Sequence, residues 1–234
     1  MRTYCLVIDD DNQEEYFNAN VRCVLEHEGI ELMPIFVNPT DRKYLKLDHS
    51  GLDKNSIIKD CRTILDSYNV SIIVSDYKIA TPKDQFTGVD VILDLIETHP
   101  SIYKILYSAT IKKAIQQILS LLPLGSKPVN FDIDKVIDSL IKIAKINDFV
   151  RGKGYDQKII KYLRNPEIQH RQHLLNILKH TAPDLEFKSC YPPFGGKKLK
   201  EIGVEIENLT PQGKEFHEEL IYQTIAYLTT INHE

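Results

Sequence analysis

The chain has 234 residues, 42% of them hydrophobic and 26% charged, with a formal net charge of -4 at pH 7. That is enough length for one large domain or two small ones with a real core, and the composition excludes a disordered tail or a fibrous repeat. Residues 1–150 hold 17 Lys+Arg against 22 Asp+Glu and residues 151–234 hold 12 against 11, so neither part is basic enough to name nucleic acid as a partner on charge alone.

The four cysteines (Cys5, Cys23, Cys61, Cys190) stand singly, with no C-x-x-C pair, and predict reduced, buried thiols in a cytoplasmic protein. No apolar run reaches the ~18 residues of a membrane span, and a strand pattern begins after two residues, with no signal peptide in front of it.

In chain order, Tyr4-Cys5-Leu6-Val7-Ile8 predicts a strand that stops at Asp9-Asp10-Asp11. A helix follows over 12–28, with Phe17, Val21, Val24 and Leu25 on one stripe and Gly29 closing it. Next come a strand over 32–37, a long polar loop over 38–55 and a helix over 56–68. The apolar run 71–75 forms a third strand that ends on Asp76, and Thr87-Gly88 opens a helix carrying Val89, Ile92, Leu95 and Ile96. A strand over 102–107, a helix over 111–119, a short fifth strand over 121–126 and a helix over 133–144 complete the pattern.

Near-continuous apolar strands between amphipathic helices imply an α/β fold with a five-stranded parallel sheet covered on both faces. Such sheets carry their chemistry beyond the carboxyl ends of the strands. There the sequence places Asp9 and Asp10, Asp76, Ser108 and Lys127. Three carboxylates at one sheet edge repel one another unless a cation lies among them, and hard oxygen ligands with open positions suit Mg2+. An aspartate beside Mg2+ can take a phosphoryl group, with a hydroxyl and an ammonium sharing the charge.

The motifs Leu6-Val7-Ile8-Asp9-Asp10, Ile73-Val74-Ser75-Asp76, Thr87-Gly88, Leu106-Tyr107-Ser108-Ala109 and Lys127-Pro128 resemble those of the receiver domain of two-component response regulators. The resemblance covers residues 1–147 and implies a (βα)5 flavodoxin-like fold. It makes Asp76 the phosphoacceptor and Asp9, Asp10, Asp76 and the backbone carbonyl of Lys78 the Mg2+ ligands. Ser108 and Lys127 become the groups that stabilise the phosphoryl group. It also implies a histidine kinase or kinase-like ATPase as partner and no enzymatic activity beyond self-directed phosphotransfer and dephosphorylation. The chain departs from the family in its long 38–55 loop, in a lengthened 77–86 segment and in the lack of an aromatic on the expected fifth strand, where Leu124 and Gly125 stand.

Residues 148–234 read as a smaller α+β module after a linker at Arg151-Gly152-Lys153-Gly154. Helices over 156–163 and 167–180, alternating strands over 184–188 and 202–206, and a last helix capped by Thr210 with Pro211 at its first position resemble part of a winged-helix domain. In that reading Gln169, Arg171, Gln172 and Lys179 face DNA, and Lys197, Lys198 and Lys200 reach phosphate from a hairpin tip. A lysine-tipped hairpin is more often simply solvated, and Tyr222, Ile225, Tyr227 and Leu228 could instead line a homodimer helix. His170, His173 and His180 share a polar helix without nearby Cys or paired carboxylates and read as surface residues.

Two functions follow: a phosphorylation switch centred on Asp76, or a phosphorylation-independent adaptor that keeps the receiver fold as an interaction surface, by analogy in a bacterial conflict system.

Overall fold

The structure, a computed structural model, describes residues 2–48, 50–79, 86–121, 146–188 and 191–231. Five parallel strands form one sheet: β1 (Arg2–Ile8), β2 (Glu31–Val37), β3 (Val70–Asp76), β4 (Tyr103–Ser108) and β5 (Asp148–Arg151). Their spatial order is β2-β1-β3-β4-β5. This is the flavodoxin-like doubly wound order, which reverses direction between β1 and β3. The carboxyl ends of those two strands carry Asp9 and Asp76.

Period-two alternation along the strands feeds two cores. On one face Leu6, Ile8 and Ile73 pack against helix α2 (Lys54–Ser67), through Ile57, Cys61 and Leu65, and against α3 (Gly88–Thr98), through Val91 and Leu95. On the other, Cys5, Val7, Ile72, Val74, Ile105 and Tyr107 meet Phe17, Val21 and Leu25 of the first helix. Helix α1 is one continuous stretch built from Glu14–Phe17, a π-helical turn at Asn18–Arg22 and Cys23–Glu26. Gly29 closes it at φ 73°, a left-handed conformation that glycine adopts without steric cost. Helix α3 starts on a capping box in which Thr87 and Asp90 satisfy its first backbone donors. Helix α4 (Ile111–Leu121) follows β4.

The expected 38–55 loop folds onto the first core. A 3-10 turn at Arg42–Tyr44 buries the Tyr44 ring, whose hydroxyl donates to Asp60 Oδ2 (3.0 Å), and Leu45 and Leu52 form a single antiparallel bridge. Cys5 and Cys61 are buried, as the pattern predicts, whereas Cys23 is exposed. No helix among the described residues is long and apolar enough to cross a membrane.

The fifth strand corrects the sequence reading. Leu121 ends α4 instead of opening a strand, and the rest of 121–126, with the 133–144 helix, lies outside the described residues. The sheet takes β5 from Asp148–Arg151, paired with β4 from Ile105↔Asp148 to Ser108↔Arg151. Arg151 therefore ends a strand instead of beginning a linker. Helix α5 (Tyr155–Leu163) packs Tyr155, Ile159 and Leu163 on the β1-β3-β4 face beside α1. A boundary at 147/148 would strip the sheet of its own edge, and the first compact unit reaches Gln169.

The second unit, His170–Glu234, is mainly helical among its described residues. Helix α6 (Pro166–Asn176) runs into a π-helical turn (Ile177–Thr181), a 3-10 turn covers Pro192–Phe194, and α7 (Leu199–Glu207) and α8 (Pro211–Ile231) complete the unit. Its core joins Leu175, Leu178, Phe194, Ile202, Ile206 and Phe216. The expected strand over 202–206 is part of α7. Alternation would bury Val204, but Val204 is 44% exposed and the buried pair Ile202 and Ile206 sits at helical i,i+4 spacing. Among the described residues, Glu186 of the other expected strand makes one antiparallel bridge, to Lys198 in the segment expected as the hairpin tip. The start of α8 is as predicted, with the Thr210 hydroxyl accepting from the Gly213 N–H (3.1 Å).

Candidate functional site

β1 and β3 are neighbours, with Ile8 aligned on Ser75, so the residues that follow bring Asp9 and Asp10 beside Asp76. One oxygen from each of these three carboxylates lies within 4.8 Å of the others. Asp9 is buried and Asp10 and Asp76 are half-buried. Burial holds the Asp76 carboxyl up at about 6; the Asp9 and, more weakly, Asp10 charges add to this, and the backbone N–H groups of Lys78 and Tyr77 oppose it. Asp9 is also raised, by burial first and by Asp10 and Asp11, against the pull of the Tyr107 hydroxyl and the Asp11 N–H. These are oxygen donors whose mutual repulsion a divalent cation would relieve, and the set fits Mg2+.

The surroundings hold this geometry in place. Asp9 Oδ1 accepts from the Asp11 N–H (2.8 Å) and Asp9 Oδ2 from the Tyr107 hydroxyl. The Asp10 carbonyl accepts from Asn38 Nδ2 (3.2 Å), which ties the first turn to the end of β2. Behind Asp76, the Ser75 hydroxyl donates to the Asp76 carbonyl (3.0 Å), and Gly88 N–H donates to the Tyr77 carbonyl (2.9 Å). A Cβ on Gly88 would lie 1.8 Å from the Asp76 carbonyl oxygen, so the glycine lets α3 start directly against the acidic strand end.

Ser108 ends β4, one residue beyond the partner of Asp76, and is buried; its Oγ accepts from the Thr110 N–H (3.0 Å). Lys127 lies outside the described residues, and the strand that pairs with β4 is β5. β5 ends at Arg151, and the next residue, Gly152, donates its N–H to the Ser108 carbonyl (3.0 Å), leaving Lys153 just beyond. Lys78 is exposed.

Two residues of the site have no role assigned from the sequence, although Tyr107 stands inside the Leu106-Tyr107-Ser108-Ala109 motif. Tyr107 shares strand parity with Val74 and Asp76, and Tyr155 packs tilted against it with ring centroids 4.9 Å apart. The only signal for the first was a tyrosine one position before Ser108, read as part of an apolar strand.

The expected DNA-facing residues of the second unit are engaged otherwise. Gln172 is buried, Arg171 is half-buried with its Nε inside, and Lys179 pairs with Glu207 (2.8 Å). Lys198 and Lys200 pair with Asp184 (3.4 and 2.9 Å) and Lys197 with Glu205 (3.4 Å). Residues 202–206, expected as the second strand of the wing, are helical. His170, His173 and His180 are exposed.

No family model matches the chain, and no curated protein matches it. Solved structures similar to it include response regulator receiver domains and response regulator proteins. One is a CheY-like receiver domain protein from Methanospirillum hungatei JF-1, 10% identical, covering 74% of this chain and 98% of that one at a TM-score of 0.38. Another is the RcsB response regulator of Salmonella typhimurium, 11% identical, covering 91% and 92% at 0.38. A third comes from a complex of histidine kinase ThkA with response regulator protein TrrA, 14% identical, covering 70% and 100% at 0.35. The fold assignment itself stands on the strand order and the two-sided core.

Proposed function

We propose that this protein is a signalling switch whose Asp76 accepts a phosphoryl group with Mg2+ and thereby controls the unit that follows. The observation that carries the reading is the convergence of Asp9, Asp10 and Asp76 within 4.8 Å at the strand-order reversal of a flavodoxin-like sheet. When bound, Mg2+ would neutralise the three carboxylates and the phosphoryl oxygens. Asp9, Asp10, Asp76 and the Lys78 carbonyl would hold it. An Asp76 carboxylate oxygen attacks phosphorus, the phosphorus–oxygen bond of the acyl phosphate forms, and the bond to the donor's leaving group breaks with its electron pair going to that group. The Ser108 hydroxyl donates to a phosphoryl oxygen, and a cation at the end of the fifth strand, or Lys127 as the motif has it, pairs with the phosphoryl charge. The donor is a phosphohistidine kinase or kinase-like ATPase. Engagement of Lys197, Lys198 and Lys200 in ion pairs favours a protein over a DNA duplex as the target of residues 170–231.

Beryllofluoride, a phosphoryl mimic, tests this with Mg2+ present. Wild type should gain thermal stability, and Asp76→Asn should not. Identical responses of the two proteins, with no phosphorylated mass after incubation with acetyl phosphate, would overturn the reading.

A further inference from the structure

We propose that Tyr107 is a positioning residue for the acidic cluster, holding Asp9 and the backbone beyond Asp76 in one arrangement so that the carboxylates can share a cation. The inference rests on the phosphoacceptor reading above and extends it to a residue outside the ligand set. Tyr107 lies on β4 opposite Asp76 of β3, while Asp9 follows β1 on the far side of β3. Two interstrand spacings, roughly 9–10 Å, separate β4 from β1. The phenol crosses that gap and its hydroxyl donates to Asp9 Oδ2. Its own carbonyl accepts from the Tyr77 N–H (2.9 Å), the residue directly after Asp76. One residue thus fixes both acidic strand ends.

The ring has little freedom. It is 4% exposed, sits in the core formed by Val7, Val74 and Ile105, and packs on Tyr155, which is fully buried. The Asp11 N–H takes the other Asp9 oxygen (2.8 Å), so Asp9 is oriented from both ends while each oxygen keeps a lone pair for a metal. A carboxylate ligand held by such an outer hydrogen bond depends on it: loss of the outer partner costs metal affinity 10- to 100-fold in order of magnitude.

The test is calorimetric titration of Mg2+ into wild type, Tyr107→Phe, Tyr155→Phe and Asp76→Asn, well below their melting temperatures. Tyr107→Phe keeps the ring and should bind Mg2+ about 10- to 100-fold more weakly. Tyr155→Phe loses a hydroxyl from the same stack, one that reaches Gln13 instead of a carboxylate of the cluster, and should bind as wild type does. Wild-type affinity in Tyr107→Phe would overturn the proposal, as would an equal loss in Tyr155→Phe, which would mark a packing effect. A wild type that does not bind Mg2+, or an Asp76→Asn that binds it equally well, would instead remove the phosphoacceptor reading and this inference with it.

Discussion

Gly88 lies against the carbonyl oxygen of Asp76 so closely that a Cβ there would stand 1.8 Å from that oxygen and 2.6 Å from Ser75 Oγ. The first contact is with backbone, which no rotamer change relieves. Alanine is the better helix former by up to about 1 kcal/mol, but forced overlap costs typically 1–3 kcal/mol and more where backbone must move. Gly88→Ala should therefore lose roughly 2 kcal/mol in urea unfolding and, because the displaced atom belongs to Asp76, also blunt the beryllofluoride response. Wild-type values for both would show that α3 can withdraw without disturbing the strand end.

Asp76 sets a pH dependence whose sign runs opposite to that of an ordinary salt-bridged aspartate. Its carboxyl is held at about 6 in the folded chain against 3.8 for a free one, so the folded state binds the proton more tightly. The stability that comes with protonation is complete below about 4 and is lost as the pH rises through 6. Its upper limit is about 3 kcal/mol, reduced by the partial exposure of the group. Without metal, Asp76→Asn should melt about 3–6 °C above wild type at pH 7.5, and the gap should narrow at pH 5. Asp53 and Asp60, whose carboxyls are lowered by Ser56 and Lys43, respond in the opposite sense in both proteins and cancel in the difference. Saturating Mg2+ should reverse the order, since the cation repays the ionised cluster. Parallel melting curves across this pH range would contradict the repulsion argued for Asp9 and Asp76.

The first four strands were legible because each is a near-continuous apolar run ended by a polar residue, the signature of a strand buried on both faces. The acidic cluster was legible for the same reason: Asp9, Asp10 and Asp76 each interrupt such a run. β5 was not, because Asp148-Phe149-Val150-Arg151 offers two apolar residues and lies at the sheet edge, while Leu121-Leu122-Pro123-Leu124 is the more apolar stretch. Helix 155–163 was placed well, but without its strand it was assigned to the wrong unit. The 202–206 segment shows how five residues satisfy both periods: Ile202 and Ile206 are i,i+4 in a helix and also fit an alternating strand. Tyr107 could not be singled out, since a hydroxyl that crosses a strand leaves no pattern along the chain.

In the second unit Phe216 is 2% exposed and meets Phe194, Phe187 and Tyr191 at ring-centroid distances of 5.0, 5.2 and 5.3 Å. Phe216→Ala should cost about 3–5 kcal/mol of that unit's stability. Hydrogen exchange should show α6, α7 and α8 losing protection while β1 and β3 keep theirs. Tyr222→Ala, at a position 68% exposed, should change protection by less than about 0.5 kcal/mol. Equal loss in both units after Phe216→Ala would mean that they unfold together.

The position of β5 offers a cation other than Lys127 for the phosphoryl group. Ser108 aligns with Arg151, Gly152 is anchored to the Ser108 carbonyl, and Lys153 follows, its carbonyl accepting from the Tyr16 hydroxyl (2.6 Å). A charge partner is useful only where a strand end holds it close to the hydroxyl that contacts the same phosphoryl group. Alanine at Lys153 should therefore weaken the beryllofluoride response at least severalfold, and alanine at Lys127 should leave it near wild type. Thermal shift across a beryllofluoride titration with Mg2+ separates the two, and Arg151→Ala shows whether the strand residue shares the task. Loss on Lys127→Ala alone would restore the motif-based assignment.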